Sequence, residues 1–319
     1  MTSTTKKNRK TATLPDGRTY VPSKGNVAHS LKPSPVASVI TRIALVIVAV
    51  YFMLPVYWLA VSATKSDNGL TASNGFWFAP ETVDGRNVGG FHLAENYAGL
   101  MAYSASHGHY WRWVGNSVFY SVAAGVIGVL ISVMAGYALS KFKFKGSGVV
   151  QGAIMAGLLM PVALLSVPLY LLFSQFGLLN NPLAVIIPSA VSPFGVFLAR
   201  VYVEASVPDE LLEAARIDGA GEFRIFFTMV LRLLAPAMVT IFLFIFVATW
   251  NNFLLPLIMM TDESQKPVTV ALYGMLAYFD PDKGQVLLGA LMAILPVIIL
   301  FTFLQRFWQS GLAAGSVKG

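Results

Sequence analysis

Six long apolar runs constrain the fold of this chain more than any other feature of its sequence. They cover residues 39–63, 113–140, 149–173, 182–203, 233–260 and 286–306. Each can cross a hydrocarbon core of about 30 Å as a helix that rises about 1.5 Å per residue. Charged residues make up only 12% of the 319 residues, too few to cover a soluble domain of this size. Because the runs lack the alternation of a barrel, we predict an all-α integral membrane protein with six transmembrane helices.

Polar segments flank these spans. Residues 1–38 are basic and rich in proline, which predicts a disordered cytoplasmic tail. Residues 39–306 form the membrane domain, 204–232 a polar cytoplasmic loop within it, and 307–319 a cytoplasmic C-terminal tail. Val61-Ser62-Ala63 resembles a signal-peptidase site, but the preceding run is too long for a signal peptide. We therefore predict an uncleaved first span.

The basic residues predict the orientation of the chain. Of the 22 Lys and Arg residues, 17 lie on one side of the six predicted spans. The other five lie on the opposite side, at Lys65, Arg86, Arg112, Lys266 and Lys283. The positive-inside rule then places both termini in the cytoplasm. The net charge of +7 is thus an orientation signal, and we expect no nucleic-acid partner.

Several kinds of chemistry are missing from the sequence. The spans contain no Asp, Glu, Lys or His away from their ends, which argues against a proton-driven carrier and against acid–base catalysis in the membrane. The chain has no Cys, and His107 and His109 lack further ligands, so no metal site is expected. No phosphate-binding P-loop occurs, so any ATP must be hydrolysed by another chain. We therefore expect a protein that is not an enzyme.

Two further patterns concern packing. Small residues recur every fourth position in the second span, at Ala124, Gly128, Ser132 and Gly136, which favours close approach of another helix. Prolines occur in several spans, and they indicate either hinges along a pathway or ordinary helix packing.

The polar loop 204–232 contains a helix whose ends are marked in the sequence. Pro208 suits a first turn, Asp209 and Glu210 complement the helix dipole, and Gly219 suits a C-terminal stop. This predicts a helix of roughly three turns, followed by a short amphipathic piece over residues 222–230. On the residues alone, the helix is either a docking surface for another protein or a solvated connection.

Within this loop, Glu213-Ala214-Ala215, three further residues and Gly219 resemble the EAA motif. That motif marks the permease subunits of binding-protein-dependent ABC importers. Arg232 stands where a proline is usual, which leaves the local bend open, and Pro236 matches a later proline. The resemblance covers about residues 39–319. Trp250-Asn251-Asn252-Phe253 resembles the sugar-importer branch, and within it the shorter six-helix subunit of the maltose-type pair.

The resemblance implies a function and a set of partners. It implies a permease subunit that moves a sugar into the cytoplasm beside a second permease subunit, with two ATPase subunits and an extracytoplasmic binding protein. The binding protein would dock on the loops 67–111 and 261–285. The chain itself would hold no cofactor, since ATP and Mg would be bound by the ATPases. The ATPase-coupling residues would be Glu213, Ala214, Ala215, Asp218 and Gly219.

A candidate substrate pathway lies in the fifth span, at Thr249, Trp250, Asn251 and Asn252. Neutral hydrogen-bonding groups and an aromatic ring suit a neutral sugar better than an ion. The alternative is that the two Asn residues bond neighbouring helices or lie near the outer interface. Two rival functions also stay open, a secondary transporter and a membrane scaffold that transports nothing. The sequence does not identify the sugar.

Overall fold

A computed structural model describes residues 12–13, 19–20, 35–276 and 282–315. Most of the predicted disordered tail, residues 1–38, lies outside the described residues. The chain divides into two units after Val56. In the first unit, strands β1 (Ala12–Thr13) and β2 (Thr19–Tyr20) form an antiparallel pair. Helix α1 (Pro35–Ser62) begins in this unit and continues through Pro55 without a break.

The second unit opens with a small folded segment between α1 and α4. It contains helix α2 (Asp67–Ala72), an antiparallel hairpin of β3 (Thr82–Val83) and β4 (Arg86–Asn87), and helix α3 (Leu93–Ser106). Asp84 and Gly85 both have positive φ and form the two-residue hairpin turn. The Asn96 side chain donates to the carbonyls of Ala63 and Lys65, at 2.9 Å each. These bonds fix α3 to the end of α1.

Helix α4 (Tyr110–Lys141) is the centre of the second unit. Its small residues lie against neighbouring helices, as the four-residue spacing predicts. A Cβ atom added to Gly128 would lie 2.8 Å from the carbonyl oxygen of Ala190, and one added to Gly136 would lie 2.7 Å from the backbone nitrogen of Arg200. The helix backbones can approach this closely only because side chains are absent at these positions.

Two of the predicted spans, the third and the fourth, are pairs of helices that meet at a bend. The third consists of α5 (Ser147–Leu159) and α6 (Val162–Gln175), and the chain bends by 108° between them. The fourth consists of α7 (Leu183–Ala190) and α8 (Pro193–Ser206), bent by 40°. Among the described residues, three helices are long and apolar enough to cross a membrane, or up to six spans if each bent pair counts as one.

The chain continues through α9 (Asp209–Ile217), α10 (Glu222–Ile225), a π-helical turn (Phe226–Val230) and α11 (Leu231–Leu233). Helix α12 (Ala235–Trp250) follows at 80° to the preceding segment. It ends inside the predicted fifth span, and α13 (Leu254–Met259) and α14 (Val268–Leu276) come next. The last helix, α15, runs from Lys283 to Gly315. It therefore includes residues that we expected in a separate C-terminal tail.

Two apolar clusters hold the second unit together. The larger one joins the middle of α4 to α7, α8 and α12, and it includes Leu212 and Ala215 from α9. The smaller one joins α3, the start of α4, the end of α12, α14 and α15. Because α9 contributes to the larger cluster, this short helix is packed into the domain and is not a loose connection.

Candidate functional site

Helix α9 ends where the sequence predicts and begins one residue later, because Pro208 has an extended backbone and lies just before the helix. Asp209 and Glu210 lie in its first turn. At its C-terminus, Gly219 has a φ of +79°. The Gly219 amide donates to the Arg216 carbonyl and the Ala220 amide to the Ala215 carbonyl, both at 3.0 Å. This pair of bonds is a Schellman motif, which stops a helix sharply at glycine.

The two faces of α9 differ in their surroundings. Leu212 and Ala215 are buried against the larger apolar cluster. Glu213 and Ala214 are exposed, and Ile217 is 85% exposed. Helix α9 therefore has a buried inner face and an exposed outer face that carries charged residues and one large apolar side chain.

Ion pairs fix both ends of α9. The Lys141 ammonium at the end of α4 lies 2.6 Å from an Asp209 carboxylate oxygen, and it holds the pKa of Asp209 below its usual range. Arg216 Nε lies 2.6 Å from Glu222 Oε1, and this carboxylate raises the pKa of Arg216. The Tyr137 hydroxyl of α4 donates to the other Glu222 oxygen at 3.2 Å. Helix α4 thus contacts the start of α9 through Lys141 and the start of α10 through Tyr137.

The predicted coupling residues divide between the two faces. Glu213, Ala214, Asp218 and Gly219 are exposed, whereas Ala215 lies on the inner face with Leu212.

Sequence reasoning missed Ile217 as a surface residue, and it also missed Phe223, which is exposed at the start of the next helix. The available signal was the spacing of Ile217, four residues after Glu213, which places both on one side of a helix.

A sharp elbow connects α9 to the fifth span. The segment Glu222–Leu233 meets α12 at 80°, and Leu234 occupies the junction. Pro236 lies in the first turn of α12, where its ring is tolerated but prevents a straight continuation of the preceding helix. The sequence leaves open whether the chain bends near Arg232, where the EAA motif usually has a proline. The structure does bend, two residues later at Leu234.

A second candidate site is an open cavity of about 580 Å³ between the broken helices. Its polar lining includes Ser166, Ser189, Ser192, Thr249, Asn251 and Asn252, beside Phe244, Phe253 and other apolar residues. None of the described residues that line the cavity carries a charge. The break between α12 and α13 exposes Asn251 and Asn252 to this space. Such a lining can hydrogen-bond hydroxyl groups and contact ring faces.

The four predicted pathway residues do not all face this cavity. The Thr249 hydroxyl donates to the Ile245 carbonyl at 2.8 Å, and the Asn251 amide donates to the Val247 carbonyl at 2.9 Å. Trp250 is buried in the smaller apolar cluster and stacks on Phe246, with ring centroids 5.8 Å apart. Trp250 thus packs on the side of α12 away from the cavity. Thr249, Asn251 and Asn252 line the cavity.

Known proteins resemble this chain over most of its length. Residues 128–312 match the profile of the binding-protein-dependent transport system inner membrane component. An arabinooligosaccharides transport system permease protein of Halalkalibacterium halodurans is 33% identical over 90% of this chain and 99% of its own length. A lactose transport system permease protein of Rhizobium radiobacter is 29% identical over 83% and 91%.

A solved structure supports the fold. It is a bacterial ABC transporter involved in the import of the acidic polysaccharide alginate, and one of its chains is 23% identical with a TM-score of 0.68. The match covers 86% of this chain and 96% of that one. Together with the family profile over more than half of the sequence, these similarities show that the chain belongs to the family of binding-protein-dependent transport system inner membrane components.

Proposed function

We propose that this chain is one of two permease subunits in an ABC importer that brings a neutral oligosaccharide into the cytoplasm. Two ATPase subunits would bind ATP and Mg and dock on the outer face of α9, and an extracytoplasmic binding protein would deliver the sugar. The observation that carries the proposal is α9 itself. It is a capped helix packed into the domain on one side, with exposed Glu213, Ala214 and Ile217 on the other.

The route for the mechanical step follows from the contacts of α9. Movement of a docked ATPase would press on the outer face, and Leu212 and Ala215 would pass the force into the larger apolar cluster. The two ion pairs link the helix ends to α4 and α10. The elbow at Leu234 then joins this cytoplasmic assembly to α12, whose end borders the cavity. A rigid connection suits this role because a flexible one would absorb the movement.

The substrate class is supported by the cavity and by the relatives. Two permeases similar to this chain are named for the transport of arabinooligosaccharides and of lactose. The alginate importer shares the fold but handles an acidic polysaccharide. Since the cavity lining here carries no charge, it offers nothing to neutralise an acidic sugar in a medium where unpaired charge is costly. A neutral oligosaccharide is therefore the better match.

The proposed orientation places both termini and α9 in the cytoplasm, in keeping with the distribution of Lys and Arg. Reporter fusions provide a direct measurement. A fusion after Ser310 should be active only as a cytoplasmic reporter, and a fusion within residues 68–87 only as an extracytoplasmic one. The reverse pattern would overturn the orientation, and with it the assignment of α9 as an ATPase-docking helix.

The coupling role can be tested on the complete importer. We expect Glu213→Lys and Ile217→Asp each to reduce co-purification of the ATPase subunits with the permease, and sugar uptake, on the order of tenfold or more, as at the centre of a protein interface. The reason is charge reversal in the first variant and loss of an apolar anchor in the second. Both side chains are exposed, so the variants should still insert and fold.

A matched control is available on the same side of the membrane. Glu204 is exposed at the end of α8 and, among the residues that the structure describes, forms an ion pair with Arg200, four residues earlier. Glu204→Lys reverses the same charge away from α9, and it should leave co-purification and uptake close to normal because surface pairs contribute little. If the Glu213 and Ile217 variants retain normal co-purification and uptake, the coupling proposal is wrong.

A further inference from the structure

Four aromatic side chains form an exposed patch on the segment between α1 and α4. They are Phe76, Trp77, Phe78 and Phe91, which are 56%, 64%, 45% and 59% exposed. The rings of Trp77 and Phe78 lie 5.7 Å apart, and those of Phe78 and Phe91 lie 5.8 Å apart. We call these four residues the aromatic patch. Three of these rings form a contiguous cluster, and Phe76 is next to Trp77 in the sequence. A cluster of large exposed apolar rings indicates an interaction surface, unlike single exposed residues.

The loop that carries the patch is held in place by hydrogen bonds. The buried Lys65 ammonium donates to the Asn74 carbonyl, and burial lowers the pKa of Lys65. The Asn74 side-chain oxygen accepts from the Phe76 amide at 2.9 Å. The Phe76 carbonyl in turn accepts from the Tyr57 hydroxyl at 2.8 Å. The rings are therefore displayed by an ordered loop, so their exposure is a property of the fold.

These bonds also set the depth of the patch along α1. Tyr57 and Trp58 lie within the last two turns of the helix, and a Cβ atom at Gly75 would lie 3.4 Å from Trp58 Nε1. The apolar helix Val36–Ser62 has 27 residues, so at about 1.5 Å per residue it is longer than a hydrocarbon core of about 30 Å. Its last turns, with Tyr57 and Trp58, therefore reach the layer where Trp and Tyr concentrate in membrane proteins.

The stretch that carries three of the four rings is uncharged, and charged residues lie near it on the hairpin. A loop at the interface of the bilayer needs both kinds of residue. Residues 75–80 read Gly-Phe-Trp-Phe-Ala-Pro and contain no charged side chain. The charges nearest to the four rings in sequence are Glu81, Asp84 and Arg86 at the hairpin and Glu95 after Phe91, and all are exposed. The rings therefore lie on either side of the charged hairpin in sequence, at residues 76–78 and at Phe91. This arrangement suits a loop whose apolar part lies in lipid while its hairpin stays in water.

We propose that the aromatic patch is embedded in the interface of the bilayer, where its occupant is lipid at the boundary of headgroups and acyl chains. The rings then anchor the segment between α1 and α4 at a fixed depth beside the end of α1. This holds the rest of that segment, including the hairpin, at a constant height above the membrane. The proposal uses the membrane-spanning character of α1 and does not depend on the sugar or on ATPase docking.

Because this chain contains no cysteine, it can be spin-labelled at single introduced cysteines before it is assembled with its partners. Single cysteines are introduced as Trp77→Cys and Phe91→Cys, on two separate stretches of the patch, and Asp84→Cys serves as the reference at the hairpin tip. The full-length chain with its importer partners is placed in nanodiscs of phosphatidylcholine and phosphatidylglycerol. Collision of each label with oxygen, which concentrates in lipid, is compared with collision with the water-soluble Ni-EDDA complex.

We expect labels at Trp77 and Phe91 to have an oxygen-to-nickel collision ratio several-fold above that at Asp84. High nickel accessibility at both patch positions would mean that the rings face water, and it would overturn the proposal. Low accessibility to both reagents would mean that another protein covers the patch, and it would overturn the proposal equally. Two positions are used so that one variant that fails to fold does not decide the result.

Discussion

At the scale of single residues, the glycines of α4 determine how closely its neighbours approach. A Cβ atom at Gly136 would lie 2.7 Å from the Arg200 nitrogen and 2.8 Å from the Ala199 Cβ. We expect Gly136→Ala to destabilise the domain by about 1–3 kcal/mol because the backbones of α4 and α8 must separate. The measurement is the denaturation midpoint of the purified protein in detergent.

Gly115 provides the matched control on the same helix. Nothing lies within 4 Å of a Cβ atom built there, so Gly115→Ala should be neutral or should stabilise the helix by up to about 1 kcal/mol. Equal destabilisation by the two variants would show that the effect comes from helix propensity and not from the contact with α8.

The same scale shows where sequence reasoning reaches its limit. The ends of α9 are predictable because Asp209, Glu210 and Gly219 act through local capping. Which way Ala215, Ile217 and Trp250 face depends on the helices packed against them, and those contacts join residues distant in the sequence. The motif therefore locates the helix, while only the structure separates inward-facing Ala215 from exposed Ile217.

At the scale of elements, the attachment of α9 to α4 can be tested through the Lys141–Asp209 pair. Asp209 is exposed, and its lowered pKa keeps it charged at neutral pH, so the pair is lost only as the pH falls through that lowered value. We expect Lys141→Asp or Asp209→Lys alone to lower the amount of sugar transported per ATP hydrolysed. The loss should be smaller than about fivefold, because ion pairs exposed to water contribute little free energy.

Combining the two substitutions restores the opposite charges in exchanged positions. Arg216 and Lys143 also favour a carboxylate at position 209, so the double variant should recover part of the coupling ratio lost in each single variant, and not all of it. A double variant no better than the worse single one would mean that the pair does not position α9. Total ATPase activity serves as the internal reference, since it reports assembly of the complex.

The breaks in the spans illustrate why elements are only partly predictable. Pro55, Pro168, Pro188 and Pro296 lie inside continuous helices, whereas Pro161 and Pro193 lie where a new helix begins. Each proline removes the same backbone donor. Whether a proline bends or breaks the helix depends on which neighbouring groups form hydrogen bonds with the freed carbonyls. The apolar pattern of the run does not show which groups these are.

At the scale of the whole molecule, the proposed function separates a coupling surface on α9 from a neutral cavity beside Asn251 and Asn252. The prediction is that the two can be impaired independently. Asn252→Asp introduces a charge at the cavity with almost no change in volume. We expect uptake of a neutral oligosaccharide to fall on the order of tenfold, because the carboxylate binds water strongly and lacks a partner there. Co-purification of the ATPases should be unchanged.

Asn181→Asp is the corresponding change outside the cavity. The Asn181 side-chain oxygen accepts from the Leu183 amide at 3.0 Å, and an aspartate oxygen can keep that bond, so its uptake should stay close to normal. Normal uptake in Asn252→Asp as well would remove Asn252 from the pathway while leaving the α9 assignment intact. Loss of ATPase co-purification in Asn252→Asp would instead contradict the prediction. It would mean that a change at the cavity also disrupts the outer face of α9, so that the two sites cannot be impaired independently.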